Sequence, residues 1–338
     1  MAPLPFTYTA AAHTVYDSLQ NRLDNDLERD TKSQYRSGVK KFMKFLQEMC
    51  PDLQLPLSEL DWCLFIQWMR DNEKLAPGTA KQYVTTVGYF LECSGYPMPQ
   101  WKHMKLLKRI KRQQKGLITA KACRKQPIHW KLVQRIADIA DHTRMDMSVF
   151  LTILFTGVAG FFRLGELLPA NKQKVKQDRI LRVGHVQFYP SREEPDFMSI
   201  YLPYSKIDKF GLGVTIVIPS NPDDRYCPVQ KMLALTTDRE ITEPLFLWPN
   251  GTIVTKAVFI RMLRDHLKAL GIDWKQYSGH SLRRGAAVSA KASGASDELI
   301  KLLGRWSSDA YKIYLRSVPA HIQQLNTVLA AMRKAQPA

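Results

Sequence analysis

Between Met147 and Phe162 the chain reads MSVFLTILFTGVAGFF, apolar nearly all the way round a helix. A helix with no polar face is either the buried centre of a domain or a membrane span. This one falls short of the about 18 consecutive apolar residues that a span requires. No longer apolar run occurs, so no membrane segment is expected. The chain must instead wrap a core around this helix, and 338 residues with 45% apolar content allow that core and a second domain besides. Arg163 emerges directly from the end of the run, in GFFRLGELL. An unpaired buried guanidinium costs several kcal/mol, so Arg163 must be paired or must line a cleft. Glu166, on the same helical face, is placed to hold it.

Lys and Arg total 49 against 31 acidic residues, a formal charge of +18. Such an excess favours a polyanion as partner. The five cysteines (Cys50, Cys63, Cys93, Cys123, Cys227) are isolated, with neither CxxC spacing nor a disulfide pattern, as in a reducing compartment. No HExxH, glycine-rich phosphate loop or acidic cluster occurs, so no metal and no cofactor are expected. The start, MAPLPFTYTAAAH, lacks the charged and apolar regions of a secretory signal.

Residues 1–30 read as an arm that turns acidic at Asp17, Asp24, Asp26, Glu28 and Asp30. Residues 31–115 read as a helical DNA-binding domain of four helices. The first places Val39, Phe42, Leu46 and Met49 inward and ends at Pro51, with Lys40, Lys41 and Lys44 off that face. The second, capped by Ser58, places Leu60, Leu64, Phe65 and Trp68 inward. The third follows Pro77-Gly78-Thr79, with Tyr83, Val87, Phe90 and Leu91 inward and Lys81, Gln82 and Thr85 outward. The fourth, Trp101 to Lys115, carries Lys105, Lys108, Arg109, Lys111 and Arg112, a charge density suited to phosphates. Residues 116–126 are small, polar and basic, as a linker would be. The KRIKR run at 108–112 also fits a nuclear address.

A second domain covers 127–338. The helix predicted over His129 to Asp141 carries Leu132, Val133, Ile136 and Ile139 on one face, and the apolar helix follows it. Val183–Phe188, Met198–Leu202 and Val214–Ile218 have strand composition and predict a three-stranded antiparallel sheet. Lys206 and Lys209 lie in the SKIDKFGLG loop, where a hairpin can carry a lysine into a cleft as a proton donor. Helices resume over Val229–Leu235 and Lys256–Leu270, with a short buried segment, Leu245–Trp248, between them.

From Ser278 to Arg316 the chain reads SGHSLRRGAAVSAKASGASDELIKLLGRWSSDAYKIYLR. His280 and Arg283 share a helical face and together suit one phosphate, with Arg284 beside them. A second helix leads to Arg305, Trp306, Tyr311 and Tyr314. A positioned Tyr can attack phosphorus. Its pKa near ~10 means that surrounding cations or a base must assist.

Arg163 with Glu166, a hairpin Lys, His280-x-x-Arg283, a G-R-W turn and a following Tyr stand in the order of the tyrosine recombinase, or phage-integrase-type, family. The resemblance covers about 127–316, and the helical domain before it resembles that family's core-binding domain. GRWSSDAYKIYLR is similar to recombinases of crypton and DIRS-type transposons. The resemblance implies a mainly α fold with a small antiparallel sheet, in which an all-α core-binding domain and a mixed α/β catalytic domain form a clamp on DNA. It also implies a site-specific recombinase that joins a tyrosine to a 3′ phosphate and leaves a free 5′ hydroxyl, serving mobile-element integration or excision. Arg163 and Arg283 would clamp the scissile phosphate, His280 would assist at it, Lys206 would protonate the leaving oxygen, and Tyr314 would attack. The family carries His or Trp in the turn before the nucleophile; here Arg305 stands nine residues before Tyr314 and Trp306 eight, and Trp306 is the favoured member. Lys209 is the alternative to Lys206. Tyr311 is expected to pack rather than react. A terminal helix over about 319–334 would couple protomers into a homo-tetramer on two DNA sites. Such an enzyme would work in the nucleus if from a eukaryotic mobile element, otherwise in the cytoplasm or nucleoid. A type IB topoisomerase-like activity, or a noncatalytic DNA-binding protein derived from a recombinase, are the other readings of the same residues.

Overall fold

The computed structural model describes residues 29–49, 55–93, 95–96, 125–170, 177–205, 208, 211–221 and 223–312. Two compact units divide the chain, Met1–Ala122 and Cys123–Ala338. In the first, α1 (Arg29–Met49), α2 (Glu59–Asp71) and α3 (Pro77–Cys93) surround an aromatic core. Phe65 is its centre, with the rings of Phe42 and Phe45 each 5.2 Å away. Ser58 starts α2 through a reciprocal cap: its hydroxyl accepts from the Asp61 N–H at 3.2 Å, and its own N–H donates to the Asp61 carboxylate at 2.7 Å.

The predicted inward faces need correction here. Leu60, Leu64 and Met49 are 57%, 39% and 54% exposed. The buried face of α2 is instead built from Trp62, Cys63, Phe65, Ile66, Trp68 and Met69. Two indoles and a phenyl ring bury more area than leucines do, and seating them turns Leu60 and Leu64 to solvent. Lys40 and Lys81 are exposed. Lys44 and Lys41 both reach the Glu73 carboxylate, Lys44 at 2.7 Å. The basic segment Trp101–Lys115, with Lys105, Lys108, Arg109, Lys111 and Arg112, lies outside the described residues, as do the arm before Arg29 and the segment after Lys312.

The second unit is built around α5 (Met145–Ala159), buried from Val149 to Val158. It is preceded by α4 (Trp130–Asp138), which ends earlier than its apolar pattern predicts and leaves Ile139 45% exposed just beyond it. After α5 comes the short α6 (Leu164–Leu167). An antiparallel sheet follows, with β1 (Val186–Tyr189), β2 (Phe197–Leu202) and β3 (Val214–Pro219) in that spatial order. Ile200 stands opposite Val186 and Ile216, and with Met198, Leu202 and Ile218 it faces the core. The first strand begins later than predicted. Val183 and Gly184 instead donate their N–H groups to the Glu243 and Ile241 carbonyls, at 3.0 and 2.9 Å. Among the described residues the α-helices that follow are α7 (Pro228–Thr236), α8 (Lys256–Ala269), α9 (His280–Ala292) and α10 (Asp297–Leu303).

Where α9 lies against the chain entering this unit, the approach is backbone to backbone. The Ile128 N–H donates to the Ser281 carbonyl at 2.9 Å, and the Trp130 N–H donates to Ser289 Oγ at 2.8 Å. A Cβ added to Gly285 would stand 1.7 Å from the Ile128 carbonyl oxygen, a position no main chain can yield cheaply. Gly285→Ala is therefore expected to cost about 1–3 kcal/mol, the usual range for overpacking. A thermal melt of the variant should show the loss, and an unchanged melting temperature would contradict this packing.

Candidate active site

The end of α5 sets the frame. The Phe162 N–H returns to the Gly157 carbonyl at 3.0 Å, and Phe161 takes a left-handed φ of 53°. The turn leaves the Gly160 and Phe161 carbonyls pointing away from the helix, at the terminus where the peptide dipoles favour cations. Two arginines from far along the chain occupy them. Arg283, on α9, donates from Nη1 to Phe161 O at 2.7 Å and from Nη2 to Gly304 O. Arg305 donates from Nη1 to Gly160 O at 3.1 Å.

Glu166 joins the rest. One oxygen, Oε1, accepts from Arg163 Nη1 at 2.8 Å and lies 3.4 Å from Ser205 Oγ. The other, Oε2, accepts from Arg305 Nη2 at 2.9 Å and from the Arg163 backbone N–H at 2.9 Å. The carboxylate thus ties together the turn after α5, the base of the β2–β3 hairpin and the turn after α10. Burial pushes the Glu166 pKa upward, but the Arg305 charge, the Arg163 N–H and the Arg163 guanidinium outweigh it, and the carboxyl is held below its ordinary range. Burial draws Arg305 down from the usual guanidinium value, with Glu166 opposing.

The G-R-W turn has its own local logic. The Arg305 and Trp306 N–H groups return to the Leu302 and Lys301 carbonyls at 2.9 and 3.0 Å, closing α10 with Arg305 at a left-handed φ of 52°. An arginine in that conformation costs of order ~1 kcal/mol, which its bonds to Gly160 and Glu166 offset. Gly304 must lack a side chain, because a Cβ there would fall 1.6 Å from the Trp306 ring. That ring lies 4.4 Å from the Arg283 guanidinium, 5.5 Å from the Tyr311 ring and 6.4 Å from Phe161. Trp306 therefore covers Arg283 as a cation–π partner, while Arg305 faces inward to the carboxylate.

Of the residues singled out in the sequence, the structure brings together Arg163, Glu166, Arg283, Arg305 and Trp306. His280 is exposed and opens α9, one turn before Arg283. The start of α9 abuts α6, since a Cβ on Gly279 would lie 3.0 Å from the Leu164 side chain. Arg284 points elsewhere and donates to the Lys125 carbonyl. Tyr311 is 2% exposed and packs, as its position suggested. Lys206, Lys209 and Tyr314 lie outside the described residues. Ser205 was missed in the sequence. Its only signal was a small polar residue between a buried strand and the hairpin lysine. Arg163 keeps 24% of its side chain exposed and Arg283 almost none, so Arg163 is the open edge of the cluster and Arg283 its floor.

The chain is 26% identical over 174 residues to an integrase/recombinase XerD homolog from Selenomonas ruminantium, a match covering 49% of this chain and 46% of that protein. The chain thus spans under half the length of that relative. No protein-family model matches it. In fold it resembles a lambda integrase (residues 75–356) dimer bound to a COC′ core site, with a TM-score of 0.59, 16% identity, and coverage of 91% of this chain and 96% of that one. It also resembles the Tn1549 transposon integrase in complex with circular intermediate DNA, with a TM-score of 0.56, 12% identity and coverage of 95% and 99%. A lambda integrase tetramer bound to a Holliday junction matches with a TM-score of 0.55 at 16% identity, over 91% of this chain and 78% of that one. The mainly helical fold with its small antiparallel sheet is that of these integrases.

Proposed function

We infer that this chain is a tyrosine recombinase of the integrase type, which cuts and rejoins DNA strands at specific sites through a 3′-phosphotyrosyl link. The observation that carries the reading is the convergence on Glu166. On an integrase fold, one buried carboxylate holds the arginine three residues before it and another 139 residues after it, and Arg283 and Trp306 lie against the same turn. The basic balance of the whole chain, +18, supports a nucleic-acid substrate.

In this reading Arg163 and Arg283 neutralise the nonbridging oxygens of the scissile phosphate, where charge develops during attack. The Tyr314 oxygen forms a bond to phosphorus as the bond to the 5′ oxygen breaks. Lys206 delivers a proton to that oxygen, and His280 receives or shares the phenol proton. The ester retains the energy of the broken bond, so a partner strand's 5′ hydroxyl reverses the step on another duplex. Glu166 and Arg305 position Arg163 rather than touch the phosphate. Exposed Lys40 and Lys81, with Lys105, Lys108, Arg109, Lys111 and Arg112, supply backbone contacts from the helical domain. A tetramer on two DNA sites, with the segment about 319–334 joining protomers, is supported by the neighbouring lambda integrase tetramer on a Holliday junction. Mobile-element integration or excision is supported by the Tn1549 transposon integrase. In a eukaryotic host the work would be nuclear.

Incubation with a library of nicked suicide duplexes should give a covalent protein–DNA adduct that Tyr314→Phe loses entirely while still binding DNA. Binding without any adduct would instead support the noncatalytic protein. Relaxation of arbitrary plasmids by monomers would support the topoisomerase.

A further inference from the structure

The cations around Glu166 exceed its single charge. Arg163 and Arg305 share its two oxygens, and a further cation lies at the same turn. Lys256 opens α8, and its backbone N–H donates to the Pro169 carbonyl at 3.0 Å, fixing the start of that helix beside the segment that leaves α6. Its side chain reaches back over α6. A Cβ built on Gly165 would stand 2.7 Å from Lys256 Nζ and 3.2 Å from Cε. Gly165 lies between Arg163 and Glu166 in sequence and is exposed, so the ammonium occupies the space that any side chain there would take. Among the described residues this ammonium has no hydrogen-bond or ion-pair partner. The Glu166 carboxylate, next to Gly165 in sequence, is already committed to two guanidiniums.

A lysine left to itself extends into water, away from like charges. Here it lies against the turn that begins at Arg163, and among the described residues nothing answers the charge it adds. Successive phosphates on one strand climb the duplex axis by about 3.4 Å each, so a cation beside the scissile-phosphate clamp meets a neighbouring phosphate. We propose that Lys256 is a substrate-positioning residue that grips the DNA backbone phosphate next to the scissile one. Gly165 lacks a side chain so that the ammonium can lie there. The proposal rests on the recombinase reading of Arg163 and Arg283, and it assigns Lys256 no part in proton transfer.

The test uses full-length Tyr314→Phe protein and a duplex selected for binding from a random pool, so that it does not depend on cleavage. Phosphates of that duplex are ethylated at random, and those whose ethylation blocks binding are mapped for the parent, Lys256→Ala, Lys256→Arg, Gly165→Ala and Arg163→Ala. The parent should be blocked at a phosphate where Lys256→Ala is not, adjacent to the one insensitive in Arg163→Ala. Lys256→Arg should restore the block. Gly165→Ala, whose methyl displaces the ammonium, should mimic Lys256→Ala, and the double variant should show no further change. The slope of log affinity against log salt should fall by about 0.9 in Lys256→Ala. Identical interference maps and slopes in parent and Lys256→Ala would overturn the proposal and leave the recombinase reading standing. A parent protein that retains no duplex from the pool would overturn both.

Discussion

Glu166→Gln is expected to cost about 3–5 kcal/mol of stability at neutral pH, because it removes the counter-charge from a largely buried pair of arginines. Arg305 keeps only 13% of its side chain exposed and, among the described residues, pairs with no other carboxylate. The substituted amide can still accept from one guanidinium, but it brings an N–H₂ group against the other. Arg163, 24% exposed, would swing toward water, and cleavage should fall by more than the stability loss accounts for. The effect has a pH signature of definite sign. The Glu166 carboxyl is held below its unfolded value, so its contribution is fully present above the ordinary carboxylate range and is lost as pH falls through its folded pKa. The gap in stability between wild type and Glu166→Gln should therefore be wide at pH 7 and close progressively in acid. Urea unfolding of both proteins at descending pH measures this, and parallel curves would show that the carboxylate is not the keystone described.

Arg283→Ala should reduce the rate of covalent cleavage by about 10²–10³-fold or more at saturating DNA, the scale of losing a preorganised donor at a reacting centre. Its affinity for DNA should fall far less. Arg283 is buried to 3%, and its two forks answer the carbonyls of Phe161 and Gly304, joining the turn after α5 to the turn after α10. The Gly304 carbonyl, losing this donor, adds about 1–3 kcal/mol of destabilisation, whereas the Phe161 carbonyl still accepts from Arg305 Nη2 at 3.4 Å. Arg283→Lys should rescue little, because an ammonium cannot span both acceptors and lie flat against Trp306. Single-turnover cleavage measured beside equilibrium binding separates the two effects. Equal losses in both would contradict a role at phosphorus.

Much of this cluster is legible along the chain, because its strongest constraints are local or chemical. The all-apolar run ending in Arg163 forces a pairing, and Glu166 at helical spacing supplies it; the bond at 2.8 Å follows from that pattern. The His280-x-x-Arg283 spacing likewise survives as the first turn of α9. The division of labour between Arg305 and Trp306 could not be read. It depends on a left-handed residue after α10 and on carbonyls of residues 160 and 161, which no periodicity reports. Ser205 is a similar case, since its tie to Glu166 exists only once the hairpin has folded onto α6. The misplaced faces have a different cause. Apolar residues on α2 outnumber the positions its packing against α1 and α3 buries, and the bulky indoles displace Leu60 and Leu64.

Everything turns on which phenol carries the DNA. Trypsin separates the two candidates, cutting after Arg305, Lys312 and Arg316 to give WSSDAYK at 306–312 and IYLR at 313–316. Tyr311 is 2% exposed beneath Trp306, a position from which it cannot reach a phosphate without dismantling the cover over Arg283. Mass spectrometry of the nuclease-trimmed adduct should find the nucleotide on the 313–316 peptide, joined through a 3′ phosphate. A nucleotide on the 306–312 peptide, or a 5′ linkage, would contradict the account.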